Sequence, residues 1–236
     1  MTTLRNGYLL AAVLLLMAAF ASCKKDGNHT SKTGGFSSPE DFIENPSVQS
    51  ALEESGVPIY EGNDPPPLAG TYLADGEVTD ASYELYNAIG APIQSTIVLS
   101  KQTASGKIDF AEMVGDMSVS GSGGYITGNN GRFTIYQESK QSGSEAGLPD
   151  EVSMTVVLLM SGKKVSNGDL ENVEGISIIT EANSSDPSYN MNAVKGLWWK
   201  WEADFYLQKE NTHAAQSVAE QNNQSLLQKV LQNVMK

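Results

Sequence analysis

The stretch GYITGNNGRFTIY, residues 124–136, reads as a β-hairpin. Asn130-Gly131 supplies the positive φ angles of a tight turn, and the runs on either side are β-branched and aromatic. Asn167-Gly168 is expected to repeat that turn between the strands around Val157 and Ile178. Between the two turns, Val152, Met154, Val156, Leu158 and Met160 alternate with Ser153, Thr155, Val157, Leu159 and Ser161. That is a strand with one strongly apolar face and one mixed face. Ile108 and Phe110 alternate with Asp109 and Ala111 more weakly, and Gly70-Thr71-Tyr72-Leu73 starts the series. Near its end, Trp199, Trp201, Ala203, Phe205 and Leu207 face one way, with Trp198, Lys200, Glu202, Asp204 and Tyr206 on the other side.

Roughly eight or nine short strands joined by hairpins, with no long helices between them, argue against a parallel α/β sheet. The expected fold is all-β, an antiparallel meander barrel of about eight strands, since closure removes exposed edges. Its interior is expected to draw on Tyr72, Phe110, Ile135, Met154, Val156, Leu158, Ile178, Trp199 and Trp201. A two-sheet sandwich is the alternative that the same alternation allows.

The flanks divide differently. In residues 37–65, Ser38 is the expected N-cap of a helix with Pro39 first and Glu40 and Asp41 in its first turn. Pro46 splits the helix into two short pieces ending by Gly56. Three prolines, Pro65 to Pro67, make a stiff extended approach to a barrel expected over residues 66–210. In residues 211–236, Leu227, Val230, Leu231 and Val234 fall at helical spacing, so an amphipathic C-terminal helix is expected from about Gln216 to Met235. It would dock on the sheet or the N-terminal helices, or meet a partner protein.

Residues 1–22 carry Arg5 as their only charge, then an apolar run from Tyr8 to Ala21, then small residues before the single cysteine, Cys23. This reads as a secretory signal peptide, too short in its apolar run for a bilayer span of about 20 residues. Residues 23–36, polar and rich in Gly, Ser and Thr, read as a flexible tether.

The chain holds 15 Lys+Arg against 28 Asp+Glu, a net charge of −13, and loss of Arg5 with the leader makes the remainder more acidic still. Such a surface disfavours nucleic acid. With Cys23 committed elsewhere, no cysteine is left for disulfides, thiol catalysis or zinc. The two histidines, His29 and His213, cannot build an imidazole metal site, so no metal and no cofactor are expected. Asp186 to Asn192, DPSYNMN, has oxygen side chains at alternate positions but lacks the glycine and late glutamate of a calcium loop, and reads as a plain loop. SGSGGYITG, residues 120–128, lacks the Lys-Ser or Lys-Thr of a phosphate loop and reads as a turn. No serine elbow is present, so no catalytic residue is assigned. The WWKW cluster offers flat indole faces that suit sugar rings or apolar ligands. If Trp199 and Trp201 instead fill the core, Trp198 would cover a strand edge or pack under the terminal helix.

Phe20-Ala21-Ser22-Cys23 resembles the bacterial lipobox. That resemblance implies diacylation of Cys23, cleavage before it and further acylation, such as palmitate, and two or more chains anchor stably where one does not. The CKKDG start looks like that of Bacteroidota lipoproteins, which implies the outer membrane and exposure at the cell surface. The PPPLAGTY lead-in followed by a meander looks like small lipocalin-like (calycin-type) lipoproteins, with Tyr72 where the Gly-x-Trp of lipocalins has Trp. The expectation is a non-catalytic envelope lipoprotein binding a small apolar or sugar-bearing ligand, with Trp199, Trp201 and Tyr72 as its contacts. The alternative is an accessory subunit of an envelope complex with a filled barrel.

Overall fold

The computed structural model describes residues 36–114, 117–142 and 151–208. The signal segment, Cys23, the tether up to residue 35, His213 and the C-terminal helix expected from Gln216 lie outside them. Two helices lead the chain, α1 (Pro39–Glu44) and α2 (Pro46–Ser55). Ser38 caps α1 by accepting from the Asp41 amide, and Asn45 caps α2 through the amides of Ser47 and Val48. Gly56, at φ 66°, ends α2 in the left-handed conformation.

Eight strands follow: β1 (Gly70–Ala81), β2 (Pro92–Ser100), β3 (Lys107–Val114), β4 (Met117–Asn129), β5 (Arg132–Ser142), β6 (Val152–Lys164), β7 (Leu170–Ser184) and β8 (Trp198–Leu207). Each pairs antiparallel with the next, and β8 returns to β1, so the sheet closes into a meander barrel rather than a sandwich. The β4–β5 turn is the expected two-residue one, with Asn130 at φ 51° and Gly131 at φ 80°. The β6–β7 connection does not repeat it. Only Gly168 is left-handed there, and Asn167 accepts from the Asp169 amide inside a longer loop. SGSGGYITG is likewise not a turn but lies within β4, where a register shift against β3 is taken up at Gly123, whose amide donates to Asp109.

Interior and exterior are both buried over part of the barrel. Inside lie Tyr72, Phe110, Ile135, Met154, Val156, Leu158, Trp199 and Trp201, as expected. Ile178 is the exception. It pairs with Val157 and Trp198, and all three face outward beneath α1 and α2 with Tyr125, Tyr136, Leu159 and Ile176. The helices set Phe42, Val48 and Ala51 on this outer patch, which accounts for the apolar second face of β6. Trp198 therefore packs under α2, and its indole N–H donates to Glu54 at 3.2 Å.

The chain between α2 and β1 closes one end of the barrel. The Tyr60 amide donates to Thr134, Thr127 donates to the Tyr60 carbonyl, and Gln102 bonds both the Leu68 amide and the Pro66 carbonyl. Leu68 drops fully buried into the interior from this base. At the opposite end, the β1–β2 connection and the β7–β8 connection send Leu85, Val194 and Leu197 inward. Tyr83 and Tyr86 stay exposed on the former. Residues 115–116 and 143–150 lie outside the described residues.

Candidate functional site in the barrel interior

Paired residues on antiparallel strands point to the same side of the sheet, so the register assigns every inward position. Trp199 pairs with Ser177 on β7, and Trp201 pairs with Gly175, so both indoles point inward as the alternation of β8 requires. Gly175 is what lets Trp201 in. A Cβ there would stand 2.1 Å from Cζ2 of the ring, and the ring stacks on Phe205 with centroids 6.1 Å apart. Neither indole N–H has a protein acceptor.

Tyr72 is also inside and fully buried, but turned to the base. Its hydroxyl donates to the Leu68 carbonyl at 2.9 Å, which ties the lead-in to β1. Burial, with the Asp169 charge nearby, pushes its phenol up to about 12. The three residues expected at the site thus share one interior without sharing one role: two unpartnered donors and one engaged hydroxyl.

The same register brings polar groups inward that the aromatic cluster does not announce. Glu112 pairs with Ile97 on β2 and follows Phe110 on β3, both of which are inside. It is 1% exposed, and neither carboxylate oxygen has a hydrogen-bond partner. Ser95 precedes Ile97 by two on β2, diagonal to Glu112. Its hydroxyl is unpartnered as well, near enough to favour the ionised carboxylate slightly but not placed for a hydrogen bond. Burial dominates and pushes the Glu112 carboxyl up to about 7. Two strands along, on β5, Gln137 pairs with inward Leu158; its amide N–H donates to the Glu138 carbonyl while its Oε1 is unpartnered.

The interior therefore presents two indole donors, a hydroxyl, a carboxyl and an amide oxygen, set among aliphatic and aromatic side chains. Chemically this suits a small molecule with an apolar body and a few hydrogen-bonding groups. Glu112 is the only acid among the buried described residues. Its signal was in the sequence: extending the Ile108, Phe110 alternation by one step puts a glutamate on the apolar face of β3.

Residues 182–192 enclose a separate open depression of about 550 Å³, lined by Asn183, Ser184, Ser188, Asn190 and Asn192 among others. Here DPSYNMN forms the loop expected of it. Asp186 accepts from the Ser188 amide, and that N–H holds its carboxyl below the usual range. Among the described residues, no group of three His, Cys, Asp or Glu is placed to hold a metal, and no helix is long and apolar enough to cross a membrane. Comparison with family models, curated proteins and solved structures returns no match to this chain.

Proposed function

We propose that the protein is a non-catalytic cell-envelope lipoprotein whose barrel interior binds a small ligand with an apolar body and hydrogen-bonding substituents. The observation that carries this reading is the set of unpartnered buried polar atoms on Ser95, Glu112, Gln137, Trp199 and Trp201. Leaving one such atom unsatisfied costs about 1–3 kcal/mol, so several together rival the whole stability of an ordinary domain. A ligand that meets them recovers that free energy on binding, and this favours an oxygen- or nitrogen-bearing ligand over a pure hydrocarbon. Eight-stranded barrels are of the size that holds one small ligand or fills with its own side chains.

Titration of intrinsic tryptophan fluorescence with apolar probes and small glycans tests the reading. Saturable quenching, weakened at least tenfold in a folded Trp201→Phe variant, is the expected result. The second reading, an accessory subunit with a filled barrel, is favoured by the close seating of Trp201 over Gly175 and against Phe205. Absence of any saturable response would leave that reading ahead.

Anchoring rests on Phe20-Ala21-Ser22-Cys23. Cys23→Ala is expected to move the protein from the detergent phase to the aqueous phase in Triton X-114 partitioning of expressing cells. Unchanged partitioning would show that an acylated Cys23 is not what holds it to the membrane.

A further inference from the structure

We propose that Glu112 anchors a small organic cation inside the barrel, a protonated amine carried on an apolar body. The inference rests on the interior-binding reading above and narrows its ligand class. Glu112 is a carboxyl aimed into an apolar interior, almost wholly shielded from water, with both oxygens unpartnered. Among the described residues no ion pair involves it; the nearest polar side chain in the register is Ser95, which is neutral. Residues 113–122 and 141–150 contain no Lys, Arg or His, so they cannot neutralise it either.

Buried carboxylates are ordinarily paired, because an isolated charge in a low-dielectric interior is costly. A protonated amine is the ligand group that supplies both the countercharge and donors for the two oxygens, as a short charge-assisted hydrogen bond. Ser95 offers a hydroxyl oxygen to a remaining ammonium proton. The rest of the interior suits what an amine is attached to: Trp201 and Phe205 present stacked ring faces, and aromatic faces also attract cations. An anionic ligand would meet repulsion from Glu112 and from the chain's net charge of −13, which instead draws cations toward the molecule. A neutral alcohol can donate its one O–H to a carboxylate oxygen, but it brings no countercharge and leaves the other oxygen unpaired.

The test compares phenethylamine with 2-phenylethanol, its neutral counterpart of similar size, by isothermal titration of the purified full chain at pH 8. The amine is expected to bind at least tenfold more tightly. In Glu112→Gln, the amine should lose its advantage and bind no more tightly than the alcohol. Should that variant fail to fold, the unmodified protein still decides: amine binding at pH 6, measured in buffers of different ionisation heat, should release nearly one proton from Glu112. The nearest described titratable group in the register, Tyr72 on β1, has its phenol at about 12 and is silent there. Equal affinity for amine and alcohol, or no proton release, overturns the amine proposal while the interior-binding reading stands. Binding of neither molecule overturns the amine proposal, and failure of every fluorescence probe as well overturns both.

Discussion

Gly175→Ala should lower the unfolding free energy by about 3 kcal/mol, the upper end of the range for forcing atoms into a packed core. The added methyl would lie 2.1 Å from Cζ2 and 2.2 Å from Cε2 of Trp201, far inside van der Waals contact. The indole has nowhere simple to go, since it is 3% exposed and stacked on Phe205. The backbone is equally confined. Gly175 is paired on both sides, to Trp201 on β8 and to Met160 on β6, so retreat would break two ladders at once. Urea unfolding gives the cost, and Gly175→Ala/Trp201→Phe locates it. The smaller ring should restore part of the lost stability, so that the double variant is less damaged than the single effects sum to. An unchanged midpoint in Gly175→Ala would mean that the ring does not sit over this glycine in solution.

That glycine also shows where reading the sequence stops. Alternation in β6 and β8 assigned their inward faces without help, because period-two burial is imposed by strand geometry itself. The capping residues Ser38, Pro39 and Gly56 were legible for a similar reason: each answers a local backbone requirement. Ile176-Ser177-Ile178-Ile179 could not be assigned in the same way. Ile178 lies under the helices while Ile179 joins the interior, two neighbours buried on opposite faces. Which face is which depends on pairing with Trp198 and on helices that cover the outside, and neither is encoded within those four residues. In β4, glycines at residues 121, 123 and 124 look like a turn, yet they serve a register shift and a close approach. A Cβ on Gly124 would meet the Tyr136 carbonyl at 2.8 Å.

The candidate site divides along the same line. Trp199 and Trp201 were placed inside by alternation, but nothing local says that their N–H groups lack acceptors. That property belongs to the assembled barrel. Tyr72 was expected beside them, and the register agrees that it faces in; its engagement with Leu68 depends on how the proline-rich lead-in folds across the base. Glu112 was within reach of pattern reading, and what made it easy to pass over is that a charged residue in a weakly alternating strand ordinarily marks the solvent face.

Glu112→Gln is expected to abolish a fall in stability on the order of 3 kcal/mol that the parent protein shows as pH rises through the weakly acidic range. The unfolded carboxyl titrates near 4.5, whereas burial raises the folded one to about 7. Between these values the native state holds a proton that the unfolded state has released. Raising the pH through that window therefore favours unfolding. Below it both states are protonated and the penalty is absent; above about 7 both are ionised and it is fully developed. Glutamine keeps the shape and stays neutral throughout, so its contribution is flat, and the variant should exceed the parent at pH 8 while matching or trailing it at pH 4. Carboxyls held below their usual range, such as Asp41 and Asp109, favour the opposite trend, with stability lost as pH falls. They are common to both proteins and cancel in the difference. Urea midpoints at unit pH intervals from 4 to 8 supply that difference directly. Parallel curves for parent and variant would mean that Glu112 reaches solvent or a countercharge, and the interior would then lose the unpaired carboxyl on which its preference for a cation depends.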